Sequence, residues 1–66
     1  MKFFERIDKS SAWNLYRMGD GHIDRYNHAH GWWESQRKEA VPNLNDPEVF
    51  RPISLERVLF LKRIGV

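Results

Sequence analysis

The chain has 66 residues, of which 41% are hydrophobic and 14% aromatic, with no cysteine and a formal net charge of +2. A chain of this length has room for one core, and its aromatic content argues against disorder, so we expect a single domain over residues 1–66. The absence of cysteine excludes disulfide bonds and thiolate zinc sites.

The N-terminal segment predicts neither secretion nor membrane insertion. Charged Glu5, Arg6 and Asp8 interrupt the first eight positions, where a signal peptide would need a continuous apolar run. The longest uncharged apolar run, residues 58–61, is far shorter than the roughly 20 residues that span a bilayer. We therefore expect a cytoplasmic protein with no membrane contact.

Residues 2–8 predict a short edge strand, followed by a loop at residues 9–11. Residues 13–18 and 22–27 are both rich in β-prone side chains and are joined through Asp20 and Gly21, which tolerate the positive φ of a primed hairpin turn. With these two as the turn, Met18 lies opposite Ile23 and Tyr16 opposite Arg25, and both are favourable cross-strand pairs.

A second turn is expected at residues 28–31, after which residues 32–34 return as a third strand of a meander. The alternative is a helix from Trp32 through Ala40, because residues 35–40 are rich in helix formers. The sequence favours the short strand, followed by a loop or a helical turn. The meander resembles short three-stranded units of small bacterial and phage proteins, and that resemblance implies no function.

Residues 42–52 contain all three prolines, which predicts a connection without regular structure, except for one helical turn capped by Asp46. Ser54 then caps a helix over residues 55–64, with acidic Glu56 near its start and Gly65 at its end. The same apolar run is also compatible with a buried strand. We expect the sheet-facing side chains of the helix to be Leu55, Val58, Leu59, Leu61 and Ile64.

These elements predict an α+β fold in which a small antiparallel meander of three or four strands packs against one C-terminal helix. No arrangement of residues predicts catalysis or a bound cofactor. The only candidate metal ligands are His28 and His30, whose spacing places them on one side of a strand, and two ligands do not complete a zinc site. We therefore expect a protein that is not an enzyme.

The hairpin has apolar side chains on both faces, and one helix covers only one of them. One face would show Trp13, Leu15 and Tyr26, the other Tyr16, Met18 and Ile23, and one of these sets should stay partly exposed. Trp32 and Trp33 are adjacent, so one of them should reach the surface. Alternatively, the N-terminal segment or the proline-rich connection folds over the second face. The candidate partner-binding residues are Tyr16, Met18, Ile23, Arg25, Trp32 and Trp33.

Trp, Tyr, Met and Arg are enriched at protein interfaces, so the sequence predicts a protein-binding module that acts as an adaptor, an inhibitor or an accessory subunit. Its partner would be a larger protein or a second copy of the chain. The alternative is a nucleic-acid-binding sheet that stacks bases on Trp and Tyr while arginines contact phosphates. The mixed charges on the strands count against that alternative.

Overall fold

A computed structural model describes residues 1–8, 13–37 and 43–65, except for the side chain of Trp32. The loop expected at residues 9–11 and the end of the alternative helix, residues 38–40, lie outside the described residues. The described chain forms an α+β fold with five strands and one helix. The strands are β1 (Lys2–Arg6), β2 (Leu15–Gly19), β3 (His22–Asn27), β4 (Trp32–Gln36) and β5 (Phe50–Ile53), and the helix is α1 (Leu55–Arg63).

The five strands make one antiparallel sheet in the order β4-β3-β2-β1-β5. The expected meander is present as β2, β3 and β4. The strand count is one higher than the predicted upper limit, because residues 50–53 pair with β1 instead of forming an irregular connection. That pairing also moves β1 away from the edge of the sheet, where the sequence placed it.

The β2–β3 turn confirms the predicted hairpin register. Met18 pairs with Ile23 and Tyr16 with Arg25. Asp20 and Gly21 both have positive φ, 50° and 76°, which is the backbone of a type I′ turn. This turn matches the right-handed twist of the flanking strands, so the two short strands can pair directly.

The helix begins and ends close to the predicted positions. The Ser54 side chain accepts a hydrogen bond from the Arg57 backbone N–H at 3.3 Å, and Gly65 takes the positive φ of a helix stop. Glu5 of β1 ties the helix to the sheet through an ion pair with Arg57 of α1 at 3.0 Å, and it also pairs with Arg51 of β5 at 2.8 Å. The buried-strand alternative for this segment is therefore wrong.

Two apolar clusters lie on opposite sides of the sheet. On the helix face, Val58 and Leu61 pack against Leu15 and Tyr26. On the other face, which we call the loop face, Leu44 from the proline-rich connection packs with a buried aromatic group formed by Phe4, Tyr16 and Phe50. The connection thus covers part of the second face, which is the arrangement that the sequence left as the alternative.

The helical turn in this connection is confirmed. The Asp46 side chain accepts a hydrogen bond from the Glu48 N–H at 3.0 Å, and its carbonyl accepts from the Phe50 N–H at 2.9 Å. This turn places Leu44 over the sheet and leads directly into β5. Within the described residues, no helix has the length and apolar character needed to cross a membrane.

Candidate functional site

The structure separates the predicted partner-binding residues instead of gathering them into one patch. Tyr16, Met18, Ile23 and Arg25 point toward the loop face, and Trp33 lies on the helix face. The Trp32 backbone belongs to β4, and its side chain is outside the described part of the chain. Whether these residues contact a partner stays a prediction, but their accessibility now differs from one to the next.

Tyr16 is not available as a contact residue on the surface. Its exposed fraction is 4%, and its ring meets Phe50 edge-on with centroids 5.1 Å apart. The expectation of partial exposure is wrong for this side chain, because Leu44 and Phe50, both from the segment taken to be irregular, enclose it. Tyr16 therefore contributes to the core of the loop face.

Met18 and Ile23 remain half-buried, as the sequence predicts for one face of the hairpin. They line an apolar groove of about 400 Å³ at the turn end of the sheet, together with Met1. The Met1 side chain, in a residue that is 65% exposed, extends over Gly19, where an added Cβ would lie 3.4 Å from the Met1 methyl carbon. The groove is thus bordered by a flexible, unbranched apolar side chain.

Met1 also borders a second groove of about 580 Å³ on the neighbouring side of β1. Phe3, Pro52, Ile53 and Leu55 line this groove, and Leu55 is more than half exposed. Met1 and Lys2 border both grooves, and because Met1 is apolar it joins the two apolar linings. We call this the hairpin-end surface and define it by five residues: Met1, Met18, Ile23, Ile53 and Leu55.

Arg25 and Trp13 form a pair at the opposite end of the loop face. The Arg25 guanidinium lies 4.1 Å from the centre of the Trp13 ring and contacts the Glu34 carboxylate at 3.4 Å. Arg25 Nε is buried, and no group among the described residues forms a hydrogen bond with it. The sequence placed Trp13 on the face of Leu15, which is wrong: β2 begins only at Leu15, so strand alternation does not extend back to Trp13.

Trp33 is half-buried on the helix face beside β4. Arg17 stacks on its ring at 4.5 Å, and Tyr26 meets the ring edge-on at 5.3 Å. Phe3 contacts it from a greater distance, with ring centroids 6.2 Å apart. Trp33 therefore joins the core of the helix face and still retains some accessible surface at the β4 side of the sheet.

Asp24 is a buried carboxylate on the helix face, where it lies opposite Arg17 of β2. It accepts hydrogen bonds from Arg17 Nε at 2.6 Å and Ser35 Oγ at 3.1 Å, and His22 Nε2 lies 3.6 Å away. Burial by itself raises the pKa of Asp24, but the Arg17 and Ser35 hydrogen bonds, with the charge of Arg17, leave the pKa below its ordinary value. The carboxylate is therefore held ionised as a structural tie between β2, β3 and β4.

Most arginines of the described strands and helix are neutralised by carboxylates. Asp24 pairs with Arg17, Glu34 with Arg25, and Glu5 with both strand and helix arginines. Arg6 similarly pairs with the neighbouring Asp8 at 2.8 Å. These pairs reduce the positive charge that the sheet could offer to phosphate groups.

The outer surface of α1 is where sequence reasoning about the helix was wrong. Of the five side chains expected to face the sheet, only Val58 and Leu61 are buried, while Leu55, Leu59 and Ile64 are more than half exposed. A nine-residue helix above a sheet presents only one narrow face to it. The five side chains expected to face the sheet extend over more than half of the helix circumference. That width already indicated that some of them must face solvent.

The two histidines considered as metal ligands lie in the exposed β3–β4 turn. The His28 ring lies at a tilt beside the Trp13 ring, with ring centroids 5.8 Å apart. Among the residues that the structure describes, no three His, Asp or Glu side chains come together as a metal-binding group. Comparison of the chain with protein-family models, with curated proteins and with solved structures found no match.

Proposed function

We propose that this protein is a small non-enzymatic protein-binding module whose contact site is the hairpin-end surface. It would serve as an adaptor, an inhibitor or an accessory subunit of a larger protein, in the cytoplasm. The observation that carries the proposal is the continuous apolar lining that Met1 creates between two grooves, with Met1 65% and Leu55 58% exposed. Continuous exposed apolar surface on a small protein is typical of an interaction site.

The composition of the surface supports a protein partner. Met1 and Met18 are flexible, polarisable side chains that adapt to apolar groups of different shape. Ile53 and Leu55 lie where β5 passes into α1, so they give the second groove a rigid wall. Flexible and fixed apolar groups side by side suit the insertion of one or two large side chains from a partner.

The rim of the first groove indicates how such a partner is recognised. Lys2, Asp20 and His22 surround the apolar lining, so the rim carries both signs of charge. A mixed rim does not favour a strongly acidic or basic partner. We therefore expect a partner that presents leucine, isoleucine, phenylalanine or methionine from a weakly charged segment, with binding that depends little on salt concentration.

The test uses site-specific photo-cross-linking in the native host. A photoreactive amino acid replaces Ile23 in the groove, and a matched control places it at Arg63, an exposed helix position outside the hairpin-end surface. The proposal expects a discrete cross-linked protein from position 23 that is absent from position 63. The partner is then purified, and its affinity for the unmodified chain is measured by calorimetry.

Two substitutions then test the surface directly. Leu55→Ser removes an exposed apolar wall of the second groove, whereas Phe60→Ser removes a comparably exposed apolar side chain elsewhere on the helix. We expect Leu55→Ser to weaken binding by about tenfold or more, as for an interface anchor, and Phe60→Ser to leave it nearly unchanged. Equal affinities for Leu55→Ser and the parent chain would contradict the proposal.

The nucleic-acid alternative has less support, because two of the three arginines that it would use, Arg17 and Arg25, are paired with carboxylates and stacked on aromatic rings; the third is Arg37. Labelled single strands at two salt concentrations separate the two functions. A nucleic-acid-binding sheet retains the strand at low salt and releases it at high salt, whereas a module of the proposed kind shows no retention at either concentration.

A further inference from the structure

The outer edge of β5 is closed to further strands. The Ile7 N–H bonds to the Val49 carbonyl at 2.7 Å, so the Val49 backbone points toward β1. Because backbone groups along a strand point alternately to its two sides, those of Phe50 and Pro52 point away from β1. The Phe50 N–H is already bonded to the Asp46 carbonyl, and Pro52 has no N–H. An incoming strand would find no backbone donor along this edge, which is a common protection against pairing.

The outer edge of β4 has no such protection. The Arg6 N–H bonds to the Asn14 carbonyl, which shows which residues of β1 and β2 face each other with their backbone groups. In an antiparallel sheet, backbone groups point alternately to the two neighbouring strands, so the registers of β2, β3 and β4 determine which groups of β4 point away from the sheet. These are the backbone groups of Trp33 and Ser35. Within the described residues, no backbone group bonds to either of these N–H groups. Residues 32–36 contain no proline and no lysine, the residues that usually guard an edge strand.

We propose that a second copy of this chain binds at this edge, with the two β4 strands antiparallel and Ser35 on the two-fold axis. In that register Trp33 lies opposite Arg37 of the second copy, and Glu34 opposite Gln36 of the second copy. The outward groups of residues 33, 35 and 37 then form about six hydrogen bonds between the chains, and the Ser35 carbonyl, which accepts from the Gln36 side chain at 3.1 Å, takes its inter-chain bond on its second lone pair. The result is one continuous ten-stranded sheet with both helices on the same face.

Charge and ring chemistry select this register over its neighbours. If the two-fold axis passed through Glu34 instead of Ser35, Glu34 would lie directly opposite Glu34 of the second copy, and two like charges in that position are unfavourable. The proposed register avoids that contact. It also sets the exposed Arg37 beside the half-buried Trp33 ring, which contacts Arg17, Tyr26 and Phe3 of its own chain and keeps accessible surface for a second guanidinium.

The open β4 edge and the closed β5 edge together favour a second copy of the chain as the partner at β4. Each chain offers one open edge and one closed edge, so pairing at β4 uses the only described edge with free donors. The association therefore closes at two chains and does not continue into a filament, as symmetric pairing through identical surfaces requires. An extended peptide from another protein would use the same donors without this symmetry, and it is an outcome that the test distinguishes.

The experiment measures molar mass by light scattering over a concentration series that reaches the millimolar range. We expect twice the 8.0 kDa chain mass at the upper end. Ser35→Pro removes the central outward N–H, and Ser35→Ala is the matched control, because both variants lose the Ser35 Oγ hydrogen bond to Asp24 but only the proline loses the N–H. The alanine variant should remain dimeric, and the proline variant should be monomeric.

Amide hydrogen exchange on the unmodified chain keeps the proposal testable if Ser35→Pro does not fold. The N–H groups of Trp33, Ser35 and Arg37 should become at least tenfold more protected between dilute and concentrated protein. A chain that stays monomeric throughout, a dimer that survives Ser35→Pro, or open-ended association would overturn the proposal. Leu55→Ser should not change the molar mass, so failure of this interface and failure of the hairpin-end surface give different results.

Discussion

Replacing two leucines of α1, one at a time, tests how the helix is placed on the sheet. Leu61 and Leu59 are two residues apart, and sequence reasoning directed both toward the sheet. In the structure Leu61 is 2% exposed and packs with Leu15, Tyr26 and Val58, whereas Leu59 is 53% exposed. The same chemical change, leucine to alanine, should therefore have very different costs at the two positions.

The magnitudes follow from burial. Leu61→Ala loses the transfer free energy of a buried side chain and leaves a cavity, which together cost about 2–5 kcal/mol. Leu59→Ala loses about half of a side-chain burial, leaves no cavity and gains slightly in helix propensity, so its cost is about 0.5–1 kcal/mol. For a chain of 66 residues the total free energy of unfolding is about 3–10 kcal/mol, so the first change removes a large share of it.

Urea unfolding, followed by circular dichroism, measures both variants. With a slope of about 1 kcal/mol per molar urea, Leu61→Ala should lower the midpoint by about 2 M or unfold the chain outright, and Leu59→Ala by less than about 1 M. Equal midpoints for the two variants, or a larger loss from Leu59→Ala, would show that α1 is rotated about its axis, with Leu59 and not Leu61 toward the sheet.

Three further substitutions and the pH dependence of stability test other parts of the fold. Asp24→Asn should cost about 1–2 kcal/mol at neutral pH, measured by urea unfolding, because it weakens the charge-assisted hydrogen bond from Arg17. The pKa values of Asp24 and Glu5 are both lowered in the folded chain. The free energy of unfolding should therefore be full above the ordinary carboxylate pKa and fall as the pH drops through the lowered values, and the difference between Asp24→Asn and the parent chain should shrink over the same interval. A free energy of unfolding that does not change with pH there would contradict this expectation. Ser54→Ala should cost about 1 kcal/mol through loss of the helix cap, measurable as a lower thermal midpoint, and an unchanged midpoint would count against the cap. Gly21→Ala should cost about 1–2 kcal/mol, since its φ of 76° is unfavourable for a residue with a Cβ, and unfolding at an unchanged urea midpoint would contradict the type I′ turn.

The sequence was informative where local chemistry decides the backbone. Asp20 and Gly21 identify the turn because few residues accept its positive φ, and the turn then determines the β2–β3 register. Ser54 and Gly65 similarly identify the two ends of α1. These signals act within a few residues of one another, so they can be recognised without knowledge of the rest of the chain.

The errors arose where distant segments decide the structure. Pro52 argues against a strand, yet it lies on the outer edge of β5, where a missing N–H has no cost. Pairing of β5 with β1 brings Leu44 onto the loop face and buries Tyr16. Which apolar residues remain exposed was therefore a consequence of a long-range pairing, and the hairpin-end surface could be predicted only in part, through Met18 and Ile23.

Two tryptophans, one on each face of the sheet and each stacked against an arginine, make intrinsic fluorescence a probe of the two faces. Trp13 lies under Arg25 on the loop face, and Trp33 lies under Arg17 on the helix face. Chains in which Trp32 and one of these two tryptophans are replaced would report separately on the melting of each layer. Coincident transitions would mean that the two layers form one cooperative unit, and separate transitions would reveal that one layer loosens first.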